Sequence, residues 1–182
     1  MLALLRRLFS KSPTPINTIQ IDPRKFGANI DFLMAQHPHD AFFPVIKSNA
    51  YGHGIEPIVK LLNDANCTYI CVDSYPEYAQ ARRISSHNFL VLSDTNTQNY
   101  RLYNWKKTAF VIGSHLALDY FIHKRKAVRV HLFINTGMNR EGFDESELPL
   151  VIEKLSTARH IQIEGVMSHL SHGDDADFAH TE

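Results

Sequence analysis

Short apolar runs alternate along this chain with stretches of helical periodicity, and that alternation constrains the fold more than any other feature. The runs Phe43 to Lys47, Tyr69 to Val72, Phe89 to Leu92, Ala109 to Ile112, Val128 to Ile134 and Ile161 to Met167 read as six strands. Asp22 stands before Pro23 as a helix cap, and Phe26, Ile30, Leu33 and Met34 follow at helical spacing. Ile55, Ile58, Val59 and Leu62 share one face of a second helix. Ser74 with Glu77, and Asp144 with Glu147, have the spacing of capping boxes; Leu148, Val151, Ile152 and Leu155 form the apolar stripe behind the latter. Such alternation predicts a parallel sheet covered by helices. Periodicity alone does not separate a closed barrel from an open doubly wound sheet. The polar and glycine-rich residues gather just after the strands, at Lys47, Asp73, Ser93 and Asp94, Gly113 and Ser114, Asn135 to Arg140, and His169. That placement leans toward a barrel, whose active site lies at this end, although an open sheet also binds ligands there.

Composition narrows the function classes. At 182 residues and 44% hydrophobic, the chain suits one domain with a real core. Nineteen basic residues balance 19 acidic ones, which argues against non-specific nucleic-acid binding. Arg6 and Arg7 interrupt the apolar start, leaving it too short for a signal peptide core or a membrane span. Residues 1–16 therefore read as a flexible extension, with Pro13 and Pro15 separating it from a domain at 17–182. Cys67 and Cys71 flank a strand-like run that places them roughly 13 Å apart, too far for a disulfide. Free thiols fit a cytoplasmic protein.

The sequence Val45-Ile46-Lys47-Ser48-Asn49-Ala50-Tyr51-Gly52-His53-Gly54 ends an apolar strand on a lysine. Burial of a lysine favours its neutral amine, which can then attack a carbonyl. Gly52 and Gly54 permit a tight turn, and a helix starting near Ile55 could point backbone N–H groups at a phosphate. Further on, Asn135-Thr136-Gly137-Met138-Asn139-Arg140-Glu141-Gly142-Phe143 is, taken alone, a glycine turn and a charged loop in which Arg140 pairs with Glu141 or Asp144. The last strand ends Val166-Met167-Ser168-His169. His169, His172, Asp174 and Asp175 do not meet zinc spacing, so no metal is expected.

Together these three stretches resemble the alanine racemases, over nearly all the chain from about Thr18. The resemblance implies a (β/α)8 TIM-barrel domain, pyridoxal 5'-phosphate as cofactor, a small amino-acid substrate and a homodimer. It assigns the catalytic and cofactor-holding lysine to Lys47, a phosphate-side tyrosine to Tyr51, and a cofactor and substrate-carboxylate contact to Arg140. His169 matches a histidine that lies against the pyridine ring, and Met138 a substrate-site residue. The implied activity interconverts L- and D-alanine for peptidoglycan supply. Two positions depart from the pattern. Phe133 stands where the family usually has a lysine, often carbamylated, that orients the arginine, and Asn135 replaces the usual aspartate. With about six of eight strands, the barrel is expected to be incomplete, and a barrel of this kind takes roughly 250 residues. The family's phosphate-binding serine, pyridine-facing arginine and second-base tyrosine fall beyond Glu182. The chain is accordingly expected to be inactive alone. Alternatives are a non-catalytic cofactor-binding remnant, one half of a split racemase with a separately encoded C-terminal half, and a racemase of another amino acid.

Overall fold

The computed structural model describes residues 16–36, 38–93 and 96–171. The N-terminal extension read at residues 1–16 lies almost wholly outside the described residues, as do His172, Asp174 and Asp175. Among the described residues five right-handed α-helices, α1 (Pro23–Gln36), α2 (Ile55–Leu62), α3 (Tyr75–Arg82), α4 (His115–Lys124) and α5 (Leu148–Thr157), accompany five strands. The strands are β1 (Ile70–Val72), β2 (Phe89–Val91), β3 (Thr108–Ile112), β4 (Val128–Phe133) and β5 (Ile161–Met167). All pair in parallel, and their order in the sheet is their order in the chain. A doubly wound sheet reverses direction at a switch point, whereas a barrel adds each strand beside the last. The sheet is thus an incomplete barrel.

Side chains alternate between two apolar layers, as a pleated strand requires. Ile70, Val72, Phe89, Val91, Phe110, Ile112 and Val130 face the helices and pack with Val59, Leu62, Tyr78, Leu118, Phe121 and Val151. Tyr69, Cys71, Leu90, Ala109, Val111 and Phe133 form a second cluster on the inner face. Both cysteines are free and buried. Among the described residues, no helix is long and apolar enough to cross a membrane.

The first expected strand is the main departure. Between Phe42 and Lys47 only Val45 bridges to β1, opposite Cys71, although the Cys71 amide donates to the Pro44 carbonyl at 2.8 Å and the Ile46 amide to the Cys71 carbonyl at 2.9 Å. Pro44 brings no N–H of its own, and the chain leaves the strand at Lys47. Helix faces are close to expectation. Asp22 caps α1 through the amides of Arg24 and Lys25 at 2.9 and 3.2 Å. Leu33 and Ile152, read as core residues, are instead 53% and 61% exposed, at the margins of their stripes.

A polar group lies within the inner layer. At Val130/His131 the β4–β5 register slips, so Glu164 is skipped in the pairing and Gly165 sits opposite His131. A Cβ on Gly165 would stand 2.6 Å from the His131 ring, so only glycine admits the imidazole. Glu164 bonds the Tyr69 hydroxyl, and Arg129 donates to that hydroxyl at 3.0 Å. Among the described residues the His131 Nε2 has no hydrogen-bond partner, and it lies 4.0 Å from Glu164. Burial lowers the His131 pKa below 6.5, Glu164 partly opposing and Arg129 reinforcing the shift. The unfolded chain therefore binds this proton first, and stability is expected to fall as pH drops from about 6.5 through the lowered folded value. Urea unfolding at pH 7.5 and 5.5 checks this, since His131→Phe should flatten the dependence. An equal loss in both proteins would place the effect elsewhere.

Candidate active site

Lys47 ends the apolar approach and opens a turn of unusual backbone. Ser48, Asn49, Ala50 and Tyr51 have φ of 52, 56, 53 and 54°. This is a single left-handed helical turn built from four non-glycine residues, which costs of order 1–2 kcal/mol for each. Hydrogen bonds hold it. The Ala50 amide donates to the Ile46 carbonyl at 2.9 Å, and the Gly54 amide to the Asn49 carbonyl at 2.9 Å. The Ile55 amide donates to Asn49 Oδ1 at 3.0 Å. That last bond corrects the sequence expectation at α2. Its first N–H is already satisfied by Asn49, and Pro57 in the same turn has none, so this helix start offers less to a phosphate than its position suggested.

The turn is also gripped from a distant segment. Glu77 accepts from the Ser48 amide at 2.8 Å with one oxygen and from the Asp73 amide at 2.9 Å with the other. The capping box expected from Ser74 and Glu77 does not form, because the carboxylate is drawn to these two amides. Glu77 thus ties the residue after Lys47 to the end of β1. Sequence reading took it for a local cap, and only its position five residues past a strand end hinted otherwise.

Asp73 marks where the charged groups converge. Burial raises its carboxyl pKa; Lys47 opposes this, Glu77 and Glu141 add to it, and Arg140 opposes it. Lys47 and Arg140 are therefore both within electrostatic reach of one half-buried carboxylate at the C-terminal ends of the strands. Lys47 is itself half-buried. Arg140 pairs with Glu141 at 3.3 Å, as its surface reading expected, and Glu141 accepts from Ser93 at 3.0 Å.

The loop carrying Arg140 is closely tied. Phe143 returns to bridge Ile134, its amide donating to the Phe133 carbonyl at 2.8 Å. Asn135 Oδ1 accepts from the amides of Gly137 and Asn139 at 3.1 and 3.0 Å. Its Nδ2 donates to Asp144 at 2.7 Å, a bond no aspartate could make. Asp144 and Glu147 do form the expected capping box. Thr136 and Ser168 share a hydroxyl hydrogen bond, which brings this loop beside the end of β5 and hence beside His169. Met138 is half-buried; Tyr51, 61% exposed, and His169, also exposed, stand at the two flanks of the sheet. The structure thus sets Lys47, Arg140, Tyr51 and His169 at the same end of the sheet, with Lys47 and Arg140 both acting on the charge of Asp73.

Residues 21–182 match the family described as alanine racemase, N-terminal domain. The chain belongs to the alanine racemase family. Alanine racemase of Pediococcus pentosaceus is 31% identical over 143 residues, covering 76% of this chain and 38% of that protein. The alanine racemase of Leptospira interrogans is 29% identical over 181 residues, covering 91% of this chain and 43% of its own length. Among solved structures, alanine racemase from Corynebacterium glutamicum superposes with a TM-score of 0.80 at 26% identity, over 87% of this chain and 47% of that one. The chain therefore spans less than half the length of these alanine racemases. The family is pyridoxal-phosphate dependent, and the domain present is the one that binds the cofactor.

Proposed function

We propose that this chain is the cofactor-binding half of a pyridoxal-phosphate racemase interconverting L- and D-alanine, for peptidoglycan supply in the cytoplasm. The observation that carries this reading is Lys47, delivered by a strained turn that Glu77 ties to the end of β1, at the same end of the sheet where Glu141, next to Arg140, is bonded to Ser93. The residues present suit the cofactor. Lys47 supplies the amine, Arg140 a half-exposed guanidinium for a phenolic oxygen and a substrate carboxylate, and Tyr51 a solvent-facing phenol that can donate to a phosphate. His169 offers a flat ring for the pyridine face, and Met138 an apolar wall for the substrate side chain. Bound there, the cofactor supplies an electron sink for the pair left when the α-proton departs. Lys47 takes that proton on its amine from one face, while Arg140 fixes the carboxylate.

Racemisation needs a second proton donor on the opposite face. In the family, a tyrosine of the partner's C-terminal domain fills that role, in a homodimer. This chain matches the N-terminal domain alone, so the complete site requires that further part, on the same polypeptide or separately encoded. We expect the 182-residue chain with pyridoxal phosphate to form no D-alanine above background. Joining it to the C-terminal domain of a relative should restore turnover. D-Alanine production by the chain alone would overturn the half-site reading. Phe133 and Asn135 favour a second reading, a racemase of another amino acid; faster turnover of serine or lysine than alanine by the joined protein would select it.

A further inference from the structure

Arg140 is half-exposed on a loop, and a long side chain there has many conformers to lose before it can grip a ligand. A partner that holds it in advance would reduce that cost. The strand beneath offers none. Phe133, at the end of β4, is 5% exposed and packs among Tyr69, Cys71, Leu90, Ala109 and Val111. The anion comes instead from the loop. Glu141 places Oε1 3.3 Å from the Arg140 Nη2, and its Oε2 accepts from Ser93 Oγ at 3.0 Å. Ser93 lies 48 residues away, just past β2, so this bond crosses the mouth of the sheet and fixes the carboxylate from a second element. Ser93, Phe133 and Glu141 line one cavity of 230 Å³ at that mouth, together with Val111 and Gly113.

We propose that Glu141, anchored by Ser93, is the positioning residue that presets Arg140 for an anionic group of the ligand. The inference rests on reading Arg140 as a ligand contact. It differs from a stabilising ion pair, because the partners are exposed by 51% and 30% and such pairs add little to folding. Its effect falls on the order of Arg140.

Two readouts on the full chain test it. One is the rate at which phenylglyoxal modifies Arg140, followed by peptide mass spectrometry. The other is the pyridoxal phosphate concentration giving half-maximal borohydride-trapped adduct on Lys47. Glu141→Gln should raise both by about fivefold, the equivalent of about 1 kcal/mol, with unchanged urea unfolding. Glu141→Asp should recover part of the change, and Ser93→Ala should fall between. In an Arg140→Lys background, Glu141→Gln should leave the half-saturating concentration unmoved, since its route runs through the guanidinium. Unchanged labelling in Glu141→Gln, or an undiminished effect on capture without the arginine, would overturn the proposal. Should the wild-type chain give no adduct at Lys47, the cofactor reading fails separately, and the Arg140 labelling rate alone decides whether Glu141 positions it.

Discussion

Replacing Gly142 with alanine is expected to destabilise the chain by about 3 kcal/mol or more, and to loosen the loop that carries Arg140. Gly142 has φ of 105°, a region that side-chain-bearing residues rarely enter. A Cβ there would stand 2.8 Å from the Asn135 nitrogen and 2.9 Å from the Ile134 carbonyl carbon. Both neighbours are backbone, and both belong to the returning bridge that seats Phe143, which is 1% exposed. The chain cannot relieve the clash without opening that bridge. Gly27→Ala is the control, since it lies in α1 with nothing within 4 Å of the added methyl and should be neutral or up to about 1 kcal/mol stabilising. Equilibrium urea unfolding measures both. A Gly142→Ala midpoint within error of the wild type would mean that the Asn135–Phe143 return is softer than described.

Glu77→Ala should cost about 2–4 kcal/mol, and it should act on Lys47 rather than only on the fold. The carboxylate accepts two backbone amides, those of Ser48 and Asp73, and charged acceptors are worth more than neutral ones. Without it, the Ser48 amide loses its acceptor at the start of four left-handed residues that are already costly. The turn should then relax toward ordinary backbone and carry Lys47 away from the end of β1. Glu77→Gln keeps the shape but brings an amide group where one acceptor oxygen was, so it should retain about half the stability. Proteolysis within residues 47–54 in the native state reads the turn directly. Faster cleavage there in Glu77→Ala than in an equally destabilised core variant is expected. Equal rates would make Glu77 a general stabiliser with no special hold on the lysine.

Much of the fold was legible because its signals are local. Asp22 before Pro23, and Asp144 with Glu147, act within one turn of chain, and both form as read. Ser74 and Glu77 carry the same spacing and fail, because an amide 29 residues upstream takes the carboxylate. No periodicity reports such a competitor. The strand at Phe43 to Lys47 was legible as apolar chain but not as a poor ladder member, since its length is cut by Pro44 on one side and the left-handed turn on the other. Barrel and open sheet share one strand-and-helix rhythm, so only the consecutive parallel order decided between them. In the candidate site, the three motifs point to Lys47, Arg140 and His169, whereas Glu77 and Glu141 make contacts across 29 and 48 residues. Their roles become visible only once the strand ends are brought together.

The central claim is that Lys47 holds pyridoxal phosphate, and trapping tests it most directly. The purified chain would be mixed with the cofactor, reduced with borohydride and digested for peptide mass spectrometry, with Lys47→Ala alongside. The account predicts a pyridoxyl group on Lys47 in preference to the other lysines, and its loss in the variant. Labelling spread over surface lysines, unchanged by Lys47→Ala, would contradict it.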